Sequence, residues 1–217
     1  MTLRELRRAT FQGENENVEF KKKVNHPEKV VREVVAFANS SGGNLLVGVG
    51  DDGELSGLKF PDEEEFVLSK AISELCRPKI SFEIEHIVLP NNRVVLNYTI
   101  PPSPKKPHFA LLKPYHRRGK AYVRVEDKSI QASREIRSLL KYQKQNVSTS
   151  VTYGDDEKKL FNYLGSHDHV TLPEFCQIAS ITRNRASEIV LDLALNNMIK
   201  ILPREKEDWL VFPEYSV

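Results

Sequence analysis

Apolar residues at 30, 31, 34, 35, 37 and 38 keep helical spacing up to Asn39. Pro27 suits the first turn of that helix, and Gly42-Gly43 stops it with a turn that glycine fills cheaply. Leu45 to Val49 is an apolar run of strand length, followed by Asp51-Asp52-Gly53 as a hairpin turn into Leu55 to Leu58. Gly48 and Gly50 leave one strand face without side chains, open to a ligand or to a packed helix. Acidic residues 62–65 open a second helix with apolar Phe66, Val67, Ala71, Ile72 and Leu75. Ile80, Phe82 and Ile84 alternate with Ser81, Glu83 and Glu85 as a half-buried strand, and Asn91-Asn92 turns the chain into a partner strand from Val94 to Ile100. The proline-rich segment 101–107 belongs to an exposed loop. Strands near 109–112 and 121–125 and a helix over 133–142 complete an α+β domain with a mixed or antiparallel sheet. Val18 to Phe20 reads as a short edge strand, and residues 3–12 as a short helix or an arm.

Residues 143–154 are polar and lack periodicity, so the spacing predicts a domain over 1–145, a linker over 146–154 and a second domain over 155–217. The second has helices at 155–164, at 172–179 and from Thr182, whose apolar face is Ala186, Ile189, Val190, Leu193 and Ala194. A hairpin of 198–202 with 209–212 follows. Three short helices and a terminal hairpin make a winged helix-turn-helix.

Charge changes this picture. The 217 residues carry a net charge of +2, but residues 1–145 hold 25 Lys plus Arg against 19 Asp plus Glu, and residues 146–217 hold 7 against 11. No acid lies between Glu85 and Glu126, a stretch containing Arg93, Lys105, Lys106, Lys113, Arg117, Arg118, Lys120 and Arg124. Such a stretch points to a polyanion, if it folds into one continuous cationic surface. No apolar run approaches a membrane span and Met1 opens no secretory signal, so the expected location is cytoplasmic with no membrane partner. Cys76 and Cys176 stand alone, giving neither a disulfide framework nor a zinc-ligand pair.

Glu14, Glu19 and Asp51 or Asp52 are acids from separate segments that could gather Mg²⁺ or Mn²⁺, or could simply be solvated. Lys21 shares a strand face with Glu19. His167 and His169 lack a third metal ligand nearby. Gly42-Gly43 lacks the Gly-Lys-Ser/Thr ending of a phosphate-binding loop, and no Ser-His or Cys-His arrangement is supported by spacing.

The segment Glu14-Asn-Glu-Asn-Val-Glu19-Phe20-Lys21, then Ala36 to Gly43, then Val47-Gly48-Val49 with Asp51-Asp52-Gly53 and Gly57, resembles the Schlafen/AlbA-type DNA-binding domain. Ala121 to Val125 and Ala132-Ser133 are similar to that domain's end, so the likeness runs over roughly residues 10–140. It implies an AlbA/Schlafen-like mixed-sheet domain that binds nucleic acid, in bacteria often as a transcriptional regulator. In animal Schlafen proteins two glutamates and an aspartate form a metal-dependent endoribonuclease site. By motif the glutamates match Glu14 and Glu19, and the aspartate falls at Asp51 or Asp52. Those enzymes use a duplicated core; one copy is visible here, and a homodimer would supply the second.

For binding, Lys21, Lys22, Lys23, Arg117, Arg118, Lys120 and Arg124 are candidate phosphate contacts, with Tyr115 as the base-stacking side chain. Tyr98 and Tyr122 suit burial in the sheet better. Arg183 and Arg185 open the candidate recognition helix, although the acidity of residues 146–217 also suits protein contact. The expected function is a nucleic-acid-binding protein, a DNA-binding transcriptional regulator that takes DNA before RNA. The alternative is a Schlafen-type endoribonuclease with Glu14, Glu19 and Asp51 on Mg²⁺ or Mn²⁺ and Lys21 steadying the phosphate.

Overall fold

A computed structural model describes residues 1–142 and 153–213. The expected linker falls largely on 143–152, outside the described residues. The chain divides into two compact units, Met1–Gln131 and Ala132–Val217.

The first unit is built on a four-stranded mixed sheet in the order β1 (Val18–Lys21), β2 (Gly43–Val47), β5 (Val94–Ile100), β4 (Glu83–Val88). β1 runs parallel to β2, pairing Phe20 with Leu46, and the other pairings are antiparallel. Helix α1 (Leu3–Gln12) is started by a Thr2–Glu5 capping box and lays Leu6 on one sheet face with Phe20, Leu46, Ile87 and Val95. Helices α2 (Pro27–Asn39) and α3 (Pro61–Leu75) cover the opposite face, burying Val31, Val34 and Ile72 against Leu45, Leu96 and Tyr98. Two short ladders flank this core: β3 (Cys76–Arg77) with β6 (Phe109–Ala110), and β7 (Tyr122–Val125) with β8 (Lys128–Gln131). β7 and β8 lie on α2.

Close backbone approach accounts for two of the glycines. A Cβ at Gly43 would lie 2.4 Å from the Phe37 ring, so the strand enters directly over the helix that precedes it. Gly48 has φ +105°, and a Cβ there would meet Val94 O at 3.2 Å and Gly57 Cα at 3.3 Å. The bare face at Gly48 is therefore filled by the chain itself.

Several elements differ from the sequence expectation. On α3 the buried stripe is Leu68, Ala71, Ile72 and Leu75, which leaves Phe66 and Val67 outside it at 67% and 40% exposure. The strand expected at 80–84 begins only at Glu83, because its hydrogen-bonding partner Thr99 starts the shared ladder there. Ile80 is nonetheless buried and the Phe82 ring packs 5.7 Å from Tyr98. The turn at Gly50–Gly53 forms, but it leads to a single bridge between Leu58 and Val94 in place of a hairpin strand. Tyr98 and Tyr122 are buried.

In the second unit, α4 (Arg134–Tyr142) packs on α7 (Arg183–Leu195), and Ser187 Oγ donates to Glu135 at 2.6 Å. The compact division thus falls ahead of α4, where the composition of 143–154 suggested a boundary behind it. α5 (Asp155–Leu164), β9 (Val170–Thr171), α6 (Leu172–Ala179), α7, β10 (Lys200–Leu202) and β11 (Trp209–Val211) follow in order. Thr171 and Thr182 cap α6 and α7, and β11 pairs antiparallel with both β10 and β9. Leu160, Val170, Phe175, Ile189, Leu193, Ile201 and Leu210 fill the core.

Candidate functional site

β1 alternates its side chains, so Phe20 enters the α1 face while Glu19 and Lys21 point together to the other side. Lys21 Nζ donates to Glu19 Oε1 and to Phe20 O, the latter at 2.9 Å. The other Glu19 oxygen faces Arg124 Nη1 at 2.9 Å. Arg124 comes from β7, and its guanidinium is the hub of the site. Nη1 also lies 3.1 Å from Glu33 Oε2 on α2 and 3.3 Å from Ser129 Oγ on β8, while Nη2 donates to Asn15 O at 2.7 Å. Ser129 Oγ donates to Glu33 Oε2 as well. The Arg124 side chain is 1% exposed, sits 4.8 Å over the Phe37 ring and leaves Nε without a partner.

Burial raises Glu33 above its ordinary value, helped by the charge of Glu19 and opposed by Ser129 and Arg124. Burial also raises Glu14, against a hydrogen bond from Phe20 N at 2.8 Å, with Glu19 and Asp51 adding repulsion. Burial alone would lower Lys21, but the hydrogen bond and charge of Glu19 outweigh it and hold the ammonium above its usual value.

Glu14, Glu19 and Asp51 therefore share one electrostatic neighbourhood. They do not fit a divalent metal as folded. Both Glu19 oxygens are engaged by cations, and among the described residues no set of three or more His, Cys, Asp or Glu side chains could hold a metal ion. Asp51 is exposed, on the Gly50–Gly53 turn. Arg124 and Lys21 supply the positive charge that a metal would bring.

The acid-free stretch does not form one surface. Arg124 is internal, so it is no phosphate contact. Arg93 precedes β5 and holds Ser56 O at 3.2 Å, whereas Lys105 and Lys106 lie beyond the strand's other end, about 20 Å away along the strand. Lys106 Nζ donates to Ser40 O at 2.6 Å, and burial lowers its pKa. Lys113, Arg117, Arg118 and Lys120 are exposed on the single segment joining β6 to β7, together with Tyr115 at 74% exposure. Lys113 Nζ lies 5.8 Å from the Tyr115 ring. Lys22 and Lys23 are exposed just after β1. In the second unit Arg183 and Arg185 are exposed on the first turn of α7, but Arg185 lies within 4.0 Å of Asp156, Glu157 and Glu188.

Sequence reading missed three parts of the site: Asn15, Glu33 and Ser129. Glu33 lies on α2, where an acid set among Val30, Val31, Val34 and Val35 was the available signal. It also missed a Ser-His contact. Ser103 Oγ lies 2.6 Å from His108 Nε2, and His108 Nδ1 lies 2.9 Å from Pro78 O. The carbonyl requires the proton on Nδ1, so Ser103 is the donor to Nε2. Burial lowers His108, whose ring anchors the proline-rich loop through these bonds while Asn39 holds its backbone N–H at 2.7 Å and its carbonyl at 3.0 Å.

No curated protein matches the chain. Among solved structures it is similar to the N-terminal domain of a protein named as ATP-dependent DNA helicase RecG-related from Nitrosomonas europaea. That likeness has 22% identity and a TM-score of 0.44, and covers 62% of this chain and 93% of that one. It is also similar to the DIP2311 protein of Corynebacterium diphtheriae, with 17% identity and a TM-score of 0.44, over 90% of this chain and 38% of that one. The family model described as Schlafen, AlbA_2 matches residues 14–133, from the first acid of the cluster to just past β8. That span holds Glu14 and Glu19, the α2–β2 glycine turn and the Arg124 strand within more than half of the sequence, and the chain belongs to the Schlafen, AlbA_2 family.

Proposed function

We propose that this chain is a nucleic-acid-binding protein acting as a DNA-binding transcriptional regulator. The observation that carries the reading is the β6–β7 segment, where exposed Lys113, Arg117, Arg118 and Lys120 flank an exposed Tyr115 in the chain with no acid in the segment. Cations of this kind neutralise phosphates, and the ring offers a stacking face. Lys22 and Lys23 add charge after β1. The order helix, strand, two helices and two strands after Gly154 supports a winged helix-turn-helix as the second domain. Its Arg183 is the better placed of the two recognition-helix arginines, since three carboxylates surround Arg185. Family membership supports nucleic acid as the partner class.

The test is retention of duplex DNA, single-stranded DNA and structured RNA over a salt series, wild type beside Arg117→Glu/Arg118→Glu. Salt-sensitive retention that the double variant loses supports the reading; affinity unchanged in the variant removes the loop from it. The nuclease alternative has one observation in its favour, the field that Glu14 shares with Glu19 and Asp51. Structured RNA incubated with Mn²⁺ beside a Glu14→Ala/Glu19→Ala variant decides it. The expected result is intact RNA; cleavage that disappears in the variant establishes the enzyme.

A further inference from the structure

Helix α3 carries an exposed stripe that the fold leaves uncovered. Asp62, Phe66 and Lys70 are spaced by four residues each, so they lie on one helix face about 6 Å apart along the axis. All three are exposed, and they share a surface pocket of about 590 Å³ with Glu65, Ser69 and His86. Phe66 is 67% exposed, with Val67 next to it at 40%. Lys70 Nζ stands 6.0 Å from the Phe66 ring. Among the described residues neither Asp62 nor Lys70 has an ion pair, whereas neighbouring Glu65 pairs with His86 at 2.5 Å. An uncovered phenylalanine rimmed by charge marks a contact surface.

The sequence of signs along the stripe selects the occupant. Acids at each of 62–65 repel a polyanion, while on its other flank the face borders the β6–β7 segment, where Phe66, Val67 and Lys70 line a second pocket of about 620 Å³ with Lys113 and Pro114. Read along the helix the stripe is negative, apolar, positive, and it is symmetric in spacing about Phe66. A two-fold axis through Phe66 reverses that order and sets Asp62 of each copy opposite Lys70 of the other, with the two Phe66 rings meeting on the axis. An isologous contact needs this self-complementarity.

We infer that the Asp62-Phe66-Lys70 face of α3 is a dimer interface in which two copies of this chain pair their α3 helices antiparallel about Phe66. Burial of Phe66 and Val67 supplies the attraction, and the two rim ion pairs set the register.

Light-scattering mass of the full chain across a dilution series tests this. The wild type is expected to have twice the chain mass at the higher concentrations. Phe66→Asp and, separately, Asp62→Lys should each halve it, the latter by placing two lysines opposite each other at both ends. The swapped variant Asp62→Lys/Lys70→Asp restores the charge pairing and should recover the doubled mass, which a local structural effect of either change would not produce. Circular dichroism checks that each variant folds, and if Phe66→Asp does not, the two charge variants carry the test. A wild type of single-chain mass at every concentration overturns the proposal, as does a dimer that survives Asp62→Lys or a swapped variant that stays single.

Discussion

Arg117 and Arg124 lie seven residues apart in the same acid-free stretch, yet folding gives them opposite roles. Arg117 is exposed on the loop between β6 and β7. Arg124 sits on the strand that follows, sealed between Glu19 and Glu33. A buried guanidinium contributes little to the field outside, because its charge is cancelled within the site. The positive charge seen in the sequence is therefore larger than the charge offered to a partner. Chain segments far from the stretch supply the missing acids: β1 brings Glu19 and α2 brings Glu33.

The difference is sharpest in stability. Arg124→Ala leaves Glu19 and Glu33 buried without their cation, and should cost about 3–5 kcal/mol in urea unfolding. Asn39→Ala, at the last residue of α2, removes bonds to His108 N, His108 O and Tyr122 O. It should cost about 2–3 kcal/mol by the same measurement, since these groups are buried. Arg117→Glu/Arg118→Glu should move unfolding by less than about 0.5 kcal/mol, because the side chains are exposed. Its effect belongs to binding, where the slope of log affinity against log salt should shrink by about 2. A loop variant that unfolds the chain, or an Arg124 variant that changes only binding, would break the contrast.

A pH-dependent effect concerns Glu14. Its raised pKa means that the folded chain holds this proton more tightly than the unfolded chain. The resulting penalty grows as pH rises from the ordinary value of 4.5 through the raised one, and is complete above it. Glu14→Gln keeps an acceptor for Phe20 N–H and removes the charge beside Glu19 and Asp51. Its melting temperature at neutral pH should exceed the wild type's, and the gain should fade as pH falls through the raised pKa and be lost below pH 4.5. A lower melting temperature at neutral pH would show that the charge of Glu14 stabilises the fold.

Local pattern was enough for the elements whose signals lie within themselves. The Val30 to Ala38 periodicity with Pro27 in front gave α2, and the turn at Asn91-Asn92 forms with Asn92 at φ +58°. Thr182 caps α7 as its residue type requires. The pattern failed where a partner strand decides. β3 and β9 have two residues each, too few for any alternation, and exist because Phe109 and Trp209 arrive beside them. Phe66 failed for a related reason: apolar character does not say which side of a helix the sheet will cover.

The sequence by itself determined the order of the helices and longer strands, the glycine turn before β2, the family likeness, and the pairing of Glu19 with Lys21 on one strand face. Those depend on neighbours within a few residues, whose geometry the backbone period fixes. Only the tertiary structure decided that Arg124 turns inward, that Glu33 and Ser129 join it, and that Ser103 meets His108. Arg124 and Glu19 are 105 positions apart, and chain closure over that distance is set by how the whole core packs.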